Sequence, residues 1–297
     1  MGGLHANRKD VLRRETMQYD NETLRRLQLA ELDILVAIDD VCRANGIEYF
    51  LDSGTALGAR RHGGFIPWDD DIDIGMPRDS YDRFLQVAPA ALGDAYTVAN
   101  PATDDRMAGL FAKVWKNGTK FFTAETIEAG VDQGIFVDVF PYDRVASDAT
   151  ARKKQLNTCL KQQSLSYLYH SGKITVPHRG ALGAIESAGC KLAHTIVRAT
   201  MKPNAIREKF NAAATSARDD DAACDMACMN YVLLTVCPKD VLFPVCDISF
   251  EGHVFSGPAD IERYLGVLYG ETWSELPPED QRRNHAPEVL DFGDGND

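Results

Sequence analysis

No stretch of this sequence is apolar for long enough to cross a bilayer. The longest such runs, Ile34 to Ile38 and Tyr231 to Cys237, fall far short of the roughly 20 residues a span requires. Basic residues are also scarce: 32 Lys and Arg stand against 44 Asp and Glu, a net charge of −12 at pH 7. Binding to a nucleic-acid duplex depends on a basic face that releases counterions, so no nucleic-acid partner is expected. The opening residues MGGLHANRKD hold no apolar stretch before Arg8 and Lys9, which excludes an export signal there. Ala6 stands where a myristoylation pattern has Ser or Thr. Seven cysteines, an odd number without an export signal, point to a reducing compartment and a cytoplasmic protein. Cys224, Cys228, Cys237 and Cys246 could hold zinc, but their spacing is irregular and buried thiols are the preferred reading.

What remains is an ordinary globular composition, 44% hydrophobic and 9% aromatic, over 297 residues without an internal repeat. That length is about two domain-lengths and can bury a sizeable core. Helical spacing of Leu24, Leu27, Leu32, Leu35, Ile38 and Val41 predicts a helix from Asn21 to about Ala44, ended by Asn45-Gly46. Short strands are expected at Glu48 to Leu51, around Ile72 and Ile74, at Phe111 to Trp115, Lys120 to Thr123 and Ile135 to Phe140. A helix is expected from Asp79 to Ala91. From about Ser147 to Arg218 the pattern is helical, broken near Pro177 and Pro203. A strand pair around Glu251-Gly252 and a helix from Asp260 to Tyr269 follow, and the last 20 residues read as loop. The division is an N-terminal helical segment (1–46), a catalytic core (47–146), a helical lobe (147–230), and C-terminal strands, helix and tail (231–297) packing on the core.

The chemistry concentrates in Phe65-Ile66-Pro67-Trp68-Asp69-Asp70-Asp71-Ile72-Asp73-Ile74-Gly75. In a strand, Asp71 and Asp73 share a face, their Cα atoms roughly 6.5–7 Å apart, while Ile72 and Ile74 take the apolar side. Two like charges so placed repel, by up to about 4 kcal/mol at 4 Å and an effective dielectric near 20. A bound cation removes that penalty, and carboxylate, water and phosphate oxygens are the donors Mg²⁺ prefers. The alternative is a solvated acidic turn, for which Asp219-Asp220-Asp221 is an internal control: that triple aspartate lacks the alternation with Ile and is expected on the surface. An EF-hand beginning at Asp69 is excluded, because Ile74 and Ser80 occupy the positions of its Gly and Glu.

Upstream, Asp52-Ser53-Gly54-Thr55 has the form of strand, tight turn and helix start, where Gly54 lets a phosphate approach the backbone. Such a turn is commonly no more than a turn, and it gains weight from lying just before the acidic strand. Arg60, Arg61 and His62 are cations that could meet phosphate oxygens or equally serve a solvated helix end. Asp138, inside the apolar run Ile135 to Phe140, is costly there unless paired or metal-bound. It is a third metal ligand, a proton acceptor, or the cap of a neighbouring turn. Lys113 is a weaker candidate for a phosphate contact.

The block from Leu51 to Met76, LDSGTALGARRHGGFIPWDDDIDIGM, resembles the signature of the LicD-type phosphotransferases, relatives of fukutin. Asp138-Val139-Phe140-Pro141 resembles the family's Asp-Ile-Phe-Pro strand, and Tyr264-Leu265, Tyr269-Gly270, Trp273 and Pro277-Pro278 resemble its C-terminal run. The resemblance implies an α+β fold, with a mixed sheet core like that of the polymerase-β-type nucleotidyltransferases and an added helical lobe. It also implies an Mg²⁺- or Mn²⁺-dependent transferase. Such an enzyme moves a phosphorylated alcohol, such as phosphocholine or ribitol phosphate, from a CDP-activated donor to a hydroxyl of a cell-surface glycan precursor and releases CMP. By the same resemblance Asp71 and Asp73 bind the catalytic metal and Asp69 adds a ligand; Asp138 is the candidate for a further metal ligand or the catalytic base. Ser53 and Gly54 cradle the diphosphate, and Arg61 and His62 contact the donor or hold the loop; Thr55 and Lys113 join them as candidate donor contacts on the reading of the residues alone. A glycan or lipid-linked glycan acceptor leaves peripheral contact with the inner membrane face open. Ser53 replaces the family's first Gly, and Gly63 a usual Lys, removing one cation. The alternatives are a nucleotidyltransferase that releases pyrophosphate, and an inert binding module that keeps the fold.

Overall fold

The computed structural model describes residues 19–172, 180–230, 234–282 and 284–293, with 180–187 described by backbone alone. The break expected near Pro177 and the charged opening residues lie outside this range.

The first helix, α1 (Asn21–Asn45), begins on the Asp20 carboxylate, which accepts from the Thr23 N–H at 2.7 Å, and stops at Gly46 with φ 61°. A left-handed residue there suits glycine and ends the helix cleanly. Leu24, Leu27, Ile34, Leu35, Ile38 and Val41 are buried, as their spacing predicts. The chain then runs through β1 (Phe50–Leu51), α2 (Ser53–His62), β2 (Asp73–Pro77) and α3 (Arg78–Leu92). Next come β3 (Tyr96–Ala99), β4 (Ala112–Lys116), β5 (Lys120–Phe122), α4 (Ala124–Ala129) and the long β6 (Phe136–Val145).

The main sheet has the order β1-β2-β6-β4-β3, and β2 and β6 run parallel while the other pairs are antiparallel. At its far end β6 leaves β2 and β4 and pairs with β7 (Asp225–Cys228), which pairs with β8 (Val236–Pro238). The result is a curled mixed sheet with helices packed on it, an α+β architecture. Its core is apolar: Phe50, Ile72, Ile74, Phe84, Val114, Val137 and Val139 are all inaccessible to solvent. Each such side chain contributes about 1.5–3 kcal/mol when fully buried.

Three helices form most of the expected helical stretch: α5 (Ala149–His170), α6 (Gly180–Thr200) and α7 (Pro203–Ala214). Pro203 stands at the first turn of α7, where its missing N–H has no helical partner to lose. Leu110, Cys159, Phe210, Ala214 and Met229 make a second, smaller core under these helices. Here the structure departs from the sequence reading. Residues 225–228, assigned to the helical lobe (147–230) though beyond its helical pattern, extend the main sheet through β6. The helix α8 (Lys239–Leu242) precedes a hairpin of β9 (Cys246–Phe250) and β10 (His253–Gly257), turning at Glu251-Gly252 where both φ values are positive, 51° and 79°. That tight turn matches the expected strand pair. After α9 (Ile261–Tyr269), the tail read as loop contains β11 (Val289–Asp291), which pairs with β5. No helix among the described residues is long and apolar enough to cross a membrane.

Candidate functional site

The parallel register of β2 and β6 sets Asp73 directly beside Asp138. On the other side of β6, Lys113 of β4 is in register with Asp138, and its Nζ lies 2.5 Å from Asp138 Oδ1. The same ammonium rests 3.5 Å from the centre of the Phe136 ring. Asp71 precedes β2, which begins only at Asp73, so the two expected strand carboxylates sit on a loop end and a strand start. The ladder nevertheless reaches Ile72, whose carbonyl accepts from the Asp138 N–H at 2.9 Å.

Burial and mutual repulsion dominate the electrostatics. The Asp73 carboxyl is held well above the ordinary value by burial, then by the charges of Asp71, Asp138, Asp52 and Asp69. Asp69 is raised well above it by burial and by Asp71 and Asp70. Asp71 is pushed up to about 6 by burial, with Asp70 and Asp138 adding to the effect and His285 opposing it. Asp138 is raised by burial, against the lowering pull of Lys113. Four carboxyl groups that repel one another in a poorly solvated site are a donor set suited to a divalent cation.

The Ser53 turn closes one side. Asp52 is inaccessible to solvent, and its Oδ1 accepts from the Ser53 N–H at 2.7 Å, the Tyr142 hydroxyl at 2.9 Å and the Tyr264 hydroxyl. Those bonds hold Ser53 at φ 46°, a left-handed conformation that suits the glycine found here in the resembled family. The Thr55 hydroxyl accepts from the Asp73 N–H at 2.8 Å and so ties α2 to β2. A Cβ on Gly54 would lie 2.9 Å from Asp69 Oδ2, so the glycine makes room for that carboxylate. The structure therefore brings Ser53, Gly54, Thr55, Asp69, Asp71, Asp73, Lys113 and Asp138 to one region.

Arg61 and His62 stand at its edge. Arg61 donates to the carbonyls of Trp273 and Glu275 at 3.1 and 3.0 Å, which fastens α2 to the segment after α9. His62 lies edge-on to Trp68 and its proton affinity is lowered by burial and by Arg61. The second triple aspartate is on the surface as expected, Asp219 and Asp221 exposed and Asp220 accepting from the Ser147 N–H at 2.8 Å. Cys228 and Cys237 are buried on β7 and β8 while Cys224 and Cys246 are exposed, and the four form no ligand group among the described residues.

Sequence reasoning missed three participants. Asp70 is buried, and both its oxygens accept from the His285 N–H, at 2.9 and 2.8 Å. The His285 ring nitrogen Nδ1 lies 3.3 Å from Asp70 Oδ1 and 3.9 Å from Asp71 Oδ2. Glu31, from α1, is inaccessible to solvent near the same carboxylates. A signal for Glu31 existed: helical spacing puts position 31 within the stripe of Leu24, Leu27, Leu35 and Ile38, where an acid is out of place. A lone His285 in a polar tail offered none.

Residues 46–171 match the family described as LicD/FKTN/FKRP, nucleotidyltransferase domain. Over 284 residues, 90% of this chain and 97% of the relative, the chain is 29% identical to the lipopolysaccharide cholinephosphotransferase LicD of Haemophilus influenzae. It is 31% identical over 104 residues, 34% of this chain and 18% of the relative, to the human ribitol 5-phosphate transferase FKRP. Both relatives are named as transferases of phosphate-containing groups. The segment that matches this family holds Ser53, the acidic loop, Lys113 and Asp138.

Proposed function

We propose that the chain transfers a phosphorylated alcohol from a CDP-activated donor to a hydroxyl of a cell-surface glycan precursor, with release of CMP. The observation that carries the reading is the pairing of Asp73 with Asp138 on neighbouring strands, beside Asp71 and the Ser53 turn. Asp69, Asp71, Asp73 and Asp138 would hold Mg²⁺ or Mn²⁺, and their raised carboxyl groups fit such an occupant. The ion, when bound, neutralises charge on the phosphate oxygens and on the departing CMP.

The remaining work falls to the chain's own groups. The Gly54 and Thr55 N–H groups at the start of α2 would meet the diphosphate, with the Thr55 hydroxyl fixing the turn against β2. Lys113, once Asp138 turns to the ion, supplies its ammonium to a phosphate oxygen. Arg61 and His62 border the donor from the end of α2. The acceptor oxygen attacks the phosphorus that bears the alcohol, the bond from that phosphorus to the CMP oxygen breaks, and Asp138, the candidate metal ligand or base, would in the second role take the acceptor proton. Such a reaction belongs in the cytoplasm, at the inner membrane face when the acceptor is lipid-linked.

The family's description as a nucleotidyltransferase domain supports a second reading, transfer of a nucleoside monophosphate with pyrophosphate as leaving group. One experiment separates the two. Incubation with CDP-choline, CDP-ribitol, CDP-glycerol or CTP, with Mg²⁺ and with Asp71→Asn as control, is followed by analysis of the released group. CMP from one CDP-alcohol, absent in the variant, supports the transferase. Pyrophosphate from CTP replaces it with the second reading, and absence of nucleotide binding removes both.

A further inference from the structure

Glu31 is a buried acid with no visible employment. It is inaccessible to solvent, and neither of its carboxylate oxygens has a hydrogen-bond partner among the described residues. Burial holds its carboxyl well above the ordinary value, and the next contributors are the charges of Asp71, Asp70 and Asp69, so the group faces the acidic loop. An orphaned buried polar group in a folded protein signals an ordered water or ion at that place. One helical turn earlier, Gln28 donates to the Asp69 carbonyl at 2.9 Å, which fixes this face of α1 beneath the loop.

Where the C-terminal segment meets this loop, one ligand atom each from Asp70, Asp71 and His285 lie within 4.8 Å of one another. The contacts of His285 Nδ1, 3.3 Å to Asp70 and 3.9 Å to Asp71, are separations that ligands of one ion adopt. The arrangement is built rather than incidental. The His285 backbone is clamped on both Asp70 oxygens, β11 pins the following residues to β5, and Arg26 of α1 lies 3.9 Å over the Phe292 ring.

We propose that Asp70, Asp71 and His285, backed by Glu31, form a second divalent-cation site on the α1 side of the acidic loop, suited to Mn²⁺ or Zn²⁺ more than to Mg²⁺. An imidazole nitrogen among carboxylate oxygens favours the softer ions, whereas Asp73 and Asp138 offer oxygen alone. Glu31 balances charge from the helix side as an outer partner. The proposal deepens the reading above and rests on it only for the first ion, with Asp71 shared between the two.

The test is the stoichiometry of Mn²⁺ bound to the metal-stripped full chain, measured by calorimetry and by loss of free-ion paramagnetic resonance. Two equivalents are expected for the wild type. His285→Ala, a change at a largely exposed ring, should retain one, and Asp73→Asn should lose the other. Glu31→Gln should weaken the His285-dependent ion by about 10–100-fold. Cu²⁺ in place of Mn²⁺ should show nitrogen coupling that disappears in His285→Ala. One equivalent lost in Asp73→Asn but kept in His285→Ala would overturn the second site and leave the first reading standing. Two equivalents unaffected by His285→Ala would also overturn it, and no Mn²⁺ binding at all would remove both.

Discussion

Asp73 and Asp138 are register partners on parallel strands; the Lys113 ammonium lies 2.5 Å from Asp138, while burial and the charges of Asp71, Asp138, Asp52 and Asp69 hold the Asp73 carboxyl well above its ordinary value. The ion pair with Lys113 therefore offsets only part of the local negative charge. Replacing Asp73 by Asn should reduce transfer by at least about 100-fold, the scale of losing a group that stabilises the transition state. Folding should not suffer in the metal-free chain, because a repelling charge has been removed. Activity assays beside urea unfolding check both halves, and a strongly destabilised Asp73→Asn would refute the account.

Gly54→Ala should act on the site and spare the fold. The new Cβ meets the end of the Asp69 side chain, which can swing aside. We expect a Tm within a few degrees of wild type, and a loss of activity of about 10-fold or more as Asp69 is displaced. Asp69→Ala combined with Gly54→Ala should show little further loss in a double-mutant cycle.

Tyr264→Phe tests the support under Ser53. The hydroxyl donates to the solvent-inaccessible Asp52, which also receives the Tyr142 hydroxyl and the Ser53 N–H. Hydrogen bonds to a buried charged group contribute about 1.5–3 kcal/mol each, and a loss in that range is expected in chemical denaturation. Activity should fall with it, since the left-handed Ser53 depends on the same carboxylate.

The acidic loop should invert the usual pH dependence of carboxylates. Asp71 titrates near 3.8 when unfolded and about 6 when folded, so between those values the folded chain binds more protons. Its contribution to stability is present below the lower value and is lost as pH rises through the upper one. Metal-free Asp71→Asn should therefore match the wild type near pH 4 and exceed it in stability above about pH 6. A divalent cation at 100 times its Kd should add about 2.7 kcal/mol to the wild type and less to the variant.

Much of this architecture was legible because it is periodic. The stripe of α1, the alternation of Asp71, Ile72, Asp73 and Ile74, and the apolar run holding Asp138 each carry their own signal over a few residues. What escaped was decided at long range. Residues 225–228 and 236–238 are too short to show a period and become strands only because β6 extends past β4 to meet them. Val289 to Asp291 form a strand because β5 presents an open edge, and that pairing brings His285 to Asp70. No local pattern in the tail could announce a partner 215 residues away. Ser53 was read from the turn it makes, but the donors on Asp52 come from β6, from α9 and from the turn itself.

The clamp between Asp70 and His285 also sets an order of events during synthesis. A ribosome delivers α1, the Ser53 turn, both catalytic strands and Lys113 well before the residues around 285 emerge. The nascent chain can thus pair β2 with β6 and gather four repelling aspartates while the imidazole that meets them is still unmade. Until the tail docks, Asp70 faces water and the loop from Trp68 to Ile72 lacks its outer wall. A chain cut just before His285 would keep the pairing of β2 with β6 and lose the clamp on the acidic loop.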